Sequence, residues 1–284
     1  MRCGMIKLLR AGFRRVFKSI IFWLGLCASF VMGVIAALNT RSCKSLDDVY
    51  IMSFFVMIAV VVSLLIGAEH GDGALRNKIA TGHSKGNIYF ANLTVFLAFS
   101  LVASIIYLGV FSLLMIGHVG IFPAYALVIS AVGFVLVALS YTVILVSVSM
   151  MISQRAVNAV ICILLVLATV FASYAIDDML GHSEFIEIVT SVNNGNFETI
   201  KEENPRYIGG VKREILQSIE WFIPYGSMTE YMKIINPCFW EYNIVLNLTP
   251  EKESHLKILP LYSVLSGFSA GVLGWYFFRK KELK

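Results

Sequence analysis

Glu69-His-Gly-Asp-Gly-Ala-Leu-Arg-Asn-Lys-Ile-Ala-Thr-Gly-His-Ser-Lys-Gly-Asn-Ile-Tyr89 is a polar island between two long apolar spans. Asp72 is placed to cap a short helix, and Gly82 to close it. Between them Leu75 and Ile79 lie four residues apart and share a face, while Arg76 and Lys78 point elsewhere. Ser84 offers a second cap before the next span begins at Ile88. The stretch therefore reads as a small amphipathic helix lying across the mouth of a hairpin of membrane helices. The alternative is an ordinary basic loop.

The flanks decide the class. Of the 284 residues, 58% are hydrophobic and 14% charged, with a mean hydropathy of +0.77. Soluble domains carry about 25% charged residues, and a chain this apolar cannot hide its surface from water. Six runs are long enough to cross a bilayer: Ser19–Leu38, Tyr50–Ala68, Ile88–Ile116, Ala124–Met151, Ala156–Ile176 and Ile258–Phe278. None contains Asp, Glu, Lys or Arg. The third and fourth are long enough to tilt or to project beyond the hydrocarbon. Met1–Lys18 followed by an apolar run and Ile35-Ala-Ala resembles a signal peptide, but the run is too long for a signal core, and a retained helix is expected.

The charges outside these runs are sorted. Met1–Lys18, the island, the link around Arg155 and the tail after Phe278 hold 14 basic and 3 acidic residues; the other connections hold 9 and 15. A net +11 against −6 predicts, by the positive-inside rule, six transmembrane helices with both termini cytoplasmic. The expected fold is all-α and integral to the membrane. It comprises a cytoplasmic amphipathic interfacial helix (1–18), five helices (19–176) interrupted by the loop 69–87, an extracellular segment (177–257), and a sixth helix with a basic cytoplasmic tail (258–284).

In 1–18, Ile6, Leu9, Phe13 and Phe17 recur at helical spacing among Lys7, Arg10, Arg14 and Arg15, which suits the inner membrane surface; a plain extension of the first span is the alternative. The fourth and fifth spans are joined so closely that a tight hairpin is expected, with Asn158 facing a partner helix. The outer segment is polar and loop-like to about Tyr207, with a turn signal at Asn193-Asn-Gly195. From Val211, Ile215, Ile219 and Phe222 recur at helical spacing up to Pro224; Met228–Ile235 is a second candidate helix and Tyr242–Leu248 is apolar again. Short interfacial helices on the outer leaflet fit this pattern: a lid, a surface admitting substrate, or filler. Gly267, Gly271 and Gly274 permit close helix packing, within the chain rather than across a dimer. Cys43 and Cys238 fall on one side, as a disulfide or as two free thiols.

No HExxH, GxSxG or Walker A pattern occurs, and no metal-ligand spacing. No intramembrane carboxylate or lysine offers an ion-coupling site. The chain has no expected catalytic or metal residue and no cofactor of its own.

The pattern Glu69-x-x-Asp72-Gly73-x-Leu75-Arg76-Asn77-Lys78-x-x-x-Gly82-x-Ser84-Lys85-x-x-Ile88-Tyr89 resembles the region between the second and third helices of bacterial type-2 ABC (ABC-2) exporter permeases. The ending Phe278-Arg-Lys-Lys-Glu-Leu-Lys284 is similar to that family's. The resemblance covers the chain in layout, while the specific motifs cover about thirty residues. It implies that the island is a coupling helix seated in an ATPase groove, with Glu69, Asp72, Leu75, Arg76, Lys78 and Ile79 as coupling residues. It also implies two ABC ATPase subunits that bind ATP and Mg, and a second copy or paralogue of the permease. The expected location is the bacterial cytoplasmic membrane, with the lipid bilayer and no nucleic acid as partner. The expected cargo is a peptide, drug or lipid of amphipathic or hydrophobic character, the closest flavour being the peptide-immunity (antimicrobial peptide resistance) or multidrug group. The rival expectation is a membrane sensor or scaffold that detects an external ligand through 177–257.

Overall fold

A computed structural model describes residues 2–43, 48–116, 124–192, 196–235 and 249–281. In chain order the elements are α1 (Arg2–Lys18), α2 (Ile20–Cys43), α3 (Asp48–Gly71), α4 (Ala74–Ala80), α5 (Lys85–Met115), α6 (Ala124–Met151), α7 (Arg155–Gly181), β1 (Phe185–Val192), β2 (Asn196–Glu203), α8 (Val211–Phe222), α9 (Pro224–Ile235) and α10 (Pro250–Lys280). Six helices, α2, α3, α5, α6, α7 and α10, are long and apolar enough to cross a membrane. The chain is an all-α, multi-pass membrane protein with one small β-ribbon. At about 1.5 Å per residue, the 31-residue α5 and α10 outreach a hydrocarbon layer of about 30 Å.

The bundle is built around α3, α5 and α6. α2 lies against α5 and α3, α7 against α3, and α10 against α6. Lipid gives helices no hydrophobic reason to associate, so close packing and internal hydrogen bonds must hold them. The α6–α10 seam does this with small residues. A Cβ on Gly267 would stand 3.0 Å from Ser140 Oγ, and one on Gly271 3.2 Å from Val143 Cγ1. Ser140 Oγ donates to Ser263 O, and Tyr89 Oη donates to Gly271 O at 3.1 Å. The glycine stripe is thus used inside the chain. The centre is aromatic: Phe54 and Phe55 of α3 meet Tyr107, Phe134 and Tyr141, with ring centroids 4.7 Å apart for Phe55–Tyr141 and 5.3 Å for Tyr107–Phe134. Asn158 is fully buried and donates to Ser63 O at 2.9 Å, which ties α7 to α3.

One end of the bundle carries α1, α4, the α6–α7 link and the end of α10; the other carries the described residues between α7 and α10. Among the described residues, those of the basic and of the acidic connections therefore lie at opposite ends.

Three expectations change. α6 and α7, joined by Ile152–Gln154, do not pack along their length as a hairpin, because α7 lies chiefly on α3. The stretch read as loop holds an antiparallel ribbon, with Phe185 opposite Glu203 and Val192 opposite Asn196. α9 does not rest on a surface: Tyr225, Met228, Tyr231, Met232 and Ile234 are all buried, and it is wedged among α6, α7 and α10. Its apolar side chains pack on these helices, while its two charged residues, Glu230 and Lys233, meet each other and Asp177 at the end of the bundle. The turn signal at 193–195, Tyr242–Leu248 and the Cys43–Cys238 question lie outside the described residues or side chains.

Candidate functional site: a carboxylate joint beside α4

α4 has seven residues and forms where α3 ends. Asp72 does not cap it. Its amide still bonds back to Ala68 O at 2.9 Å, completing α3, and the cap position falls to Gly73, whose φ of +67° turns the chain. A left-handed residue is cheapest as glycine. The other end closes as expected: Gly82 N donates to Ile79 O at 2.9 Å and His83 N to Lys78 O at 3.2 Å, with Gly82 at φ +86°. This is the Schellman arrangement. Ser84 then caps α5, accepting from Asn87 N at 3.3 Å.

The apolar face of α4 points inward. Leu75 is only 2% exposed and belongs to the bundle's own core, and Ile79 is half-buried against it. The outward face expected for Leu75 is instead made by Asp72, Arg76, Asn77 and Ala80, all exposed.

Beneath α4 lies Glu69, the last charged residue of α3, which is 1% exposed. Its Oε1 accepts from Lys78 Nζ of α4 at 2.7 Å and pairs with Arg15 Nη2 of α1 at 2.7 Å. Its Oε2 accepts from Asn92 Nδ2 of α5 at 2.6 Å. Four helices converge on one carboxyl group. A buried carboxylate is tolerated only when paired and hydrogen-bonded, and here two cations and an amide meet that condition. Lys78 and Glu69 were expected near the island; Arg15 and Asn92 were not. Arg15 follows Leu8 and Gly12 at helical spacing and adjoins Val16, all three buried, so its position on the bundle-facing side is written in the sequence. Ile6 and Phe17 of α1 are exposed instead, at 60% and 50%. Asn92 is a lone amide inside an apolar span, a residue type that usually finds a partner across helices.

The same end is clasped by the tail. Lys85 Nζ donates to Lys281 O at 2.7 Å, and Lys281 Nζ donates to Met150 O at 3.3 Å and Ser153 Oγ at 3.2 Å.

At the opposite end, α8 exposes Ile215 (54%), Ile219 (47%) and Phe222 (44%) as one apolar face, and turns Glu220 and Trp221 inward. Between α5 and α6, below α9, an apolar cavity of about 470 Å³ is lined by Phe111, Met115, Phe134 and Met228. Among the described residues, the hydroxyls of two that line it, Tyr107 Oη and Ser130 Oγ, are buried without a hydrogen-bond partner. Such groups usually find a partner, so the cavity suits an apolar molecule carrying a polar group.

Compared with known families and with curated proteins, this chain matches no family model and no individual protein at a significant level.

Proposed function

We propose that the chain is the permease subunit of an ATP-driven exporter of the ABC-2 kind, moving an amphipathic or hydrophobic cargo across the bacterial cytoplasmic membrane. In this reading the α4 end is cytoplasmic, α4 is the coupling helix, and separate ATPase subunits bind ATP and Mg. One observation carries the reading: Glu69 bonds α4 to α1 and α5 from the end of α3. A load applied to a seven-residue helix would be lost in a flexible loop. Here it reaches three longer helices through a single buried group. The exposed residues Asp72, Arg76, Asn77 and Ala80 are the face offered to the ATPase, and the buried Leu75 anchors α4 to the bundle. The cavity beneath α9, with its two unpartnered hydroxyls, is where cargo of mixed polarity fits best.

The test is co-purification from native membranes with identification of every partner chain. A nucleotide-binding subunit is expected with the wild-type chain and is lost with Arg76→Glu, which leaves the bundle core untouched. Lys78→Met is expected to keep the partner but to lose ATP-driven transport. If no nucleotide-binding chain accompanies the wild type, the exporter reading fails and the sensor reading takes its place. That second reading is favoured by a separate ionic pocket at the α8–α9 end.

A further inference from the structure

A pocket of about 600 Å³ opens at the α8–α9 end, within the range of small-molecule clefts. Carboxylates from three helices reach it: Asp177 and Asp178 at the end of α7, Glu220 on α8 and Glu230 on α9. Lys233 is the cation shared among them. Its Nζ pairs with Asp177 Oδ1 and stands 3.6 Å from Glu230 Oε2 and 3.8 Å from Glu220 Oε1. Arg213 also lines the pocket, but its guanidinium is committed to backbone, donating to Leu180 O at 2.9 Å and Ile208 O at 3.4 Å. His255 Nδ1 lies 3.1 Å from Glu230 Oε1, and His182 completes the wall. With neutral imidazoles, four carboxylates face two cations.

The second observation is Glu220 itself. It is 1% exposed and lines the pocket, and among the described residues its Oε1 receives no hydrogen bond, Lys233 Nζ standing off at 3.8 Å. A buried carboxylate oxygen left without a donor is costly, and a ligand that supplies one removes the cost. Among the described residues, no group of three His, Cys, Asp or Glu side chains is arranged to hold a metal ion. An ammonium group carries three donors, no acceptor and no demand for a fixed coordination shell.

We propose that this pocket binds a ligand bearing a primary ammonium group, which donates to Glu220 Oε1 and is held electrostatically by Asp178. The site stands whether the chain transports or senses. Binding is expected to strengthen with pH. Burial, reinforced by the charges of Asp177 and Glu230 and opposed by Lys233 and the Thr229 hydroxyl, pushes the Glu220 carboxyl up to about 7. Below that pH the group is neutral and a poor partner for a cation; above it the charge is available. The other groups around Glu220 are Asp177, Asp178, Glu230, Lys233, Arg213 and His182 on the pocket wall, with His255 behind Glu230.

The experiment is calorimetric titration of the purified full chain in nanodiscs with spermidine, at pH 6 and pH 8. Saturable binding is expected, tighter at pH 8. Glu220→Gln should weaken it about tenfold and reduce the ratio between the two pH values. Lys233→Met removes a competing cation and should tighten it, the opposite of what structural damage would do. Asp178→Asn, at an exposed position, should weaken it by a smaller factor and covers the case in which Glu220→Gln does not fold. Fully acetylated spermidine should not bind. The proposal is overturned if wild type shows no saturable binding, if the acetylated compound binds as well, or if affinity is unchanged by both carboxylate substitutions.

Discussion

Glu69 and Glu220 are both glutamates 1% exposed, at opposite ends of the same bundle, and their surroundings are inverted. Around Glu69 one carboxylate receives two cations and an amide, so every lone pair that matters is engaged. Around Glu220 three carboxylates compete for one lysine, and among the described residues one buried oxygen receives no hydrogen bond. The difference separates structure from receptivity. An over-compensated charge fastens elements together and wants nothing more. An under-compensated one leaves a demand that only something from outside can meet.

Four measurements can break or sharpen that contrast. The largest effect is expected from Glu69→Ala, which strands Arg15, Lys78 and Asn92 together. The loss should be about 3 kcal/mol, at the lower edge of the range for broken buried pairs because Arg15 and Lys78 are part-exposed, read as a fall in the melting temperature of the purified chain. If Glu220→Ala lowered it by the same amount at pH 8, the two sites would be alike and the contrast would fall. Next is Leu75→Ala, at about 2–3 kcal/mol because the side chain leaves a cavity in the core. Arg76→Ala, one residue away and exposed, should stay within about 0.5 kcal/mol. Comparable losses for the two would show α4 to be turned the other way. Lys78→Ala is smaller, about 1 kcal/mol, since Arg15 still holds the carboxylate.

The last measurement concerns pH. The native Glu220 carboxyl, pushed up to about 7, holds its proton more tightly than in the unfolded chain. Its contribution to stability is therefore present at low pH and is lost as pH rises from about 4.5 through 7. Glu220→Gln should flatten that part of the melting-temperature profile and raise the value at pH 8. A profile unchanged between wild type and the variant would mean that Glu220 is as well compensated as Glu69.

How much of this was legible in the sequence varies with the kind of force involved. The spans were legible because bilayer thickness imposes a length and lipid imposes a composition; the apolar run Tyr50–Ala68 lies inside α3 and Ala124–Met151 coincides with α6. The closure at Gly82 was legible because a helix end needs a left-handed residue. The start was not, because the island holds two residues able to begin it, and the backbone used Gly73 where side-chain chemistry favoured Asp72. Periodicity gave α4 an apolar face correctly but could not say which way it pointed: Leu75 serves an interface or a core equally well until the tertiary packing is known. The ribbon at 185–203 escaped because its polar residues read as loop, although Ile186, Ile188, Val189 and Thr190 are β-branched and favour a strand. Neither buried charge cluster was foreseen as a cluster. Each joins residues from at least three helices, and such meetings depend on helix packing rather than on spacing along the chain.

The joint at Glu69 also has a stiffness. Two cations stand 2.7 Å from a single oxygen, one on α1 and one on α4. Drawing either cation back by about 2 Å costs on the order of 2–3 kcal/mol at an effective dielectric near 20, before solvent screening lowers it. That is only a few times thermal energy. The connection behaves as a spring that stretches rather than a weld that snaps, and because α1 and α4 pull on the same atom, slackening one tightens the hold of the other. Movement of the short helix is thereby returned to the amphipathic helix α1 through that shared oxygen.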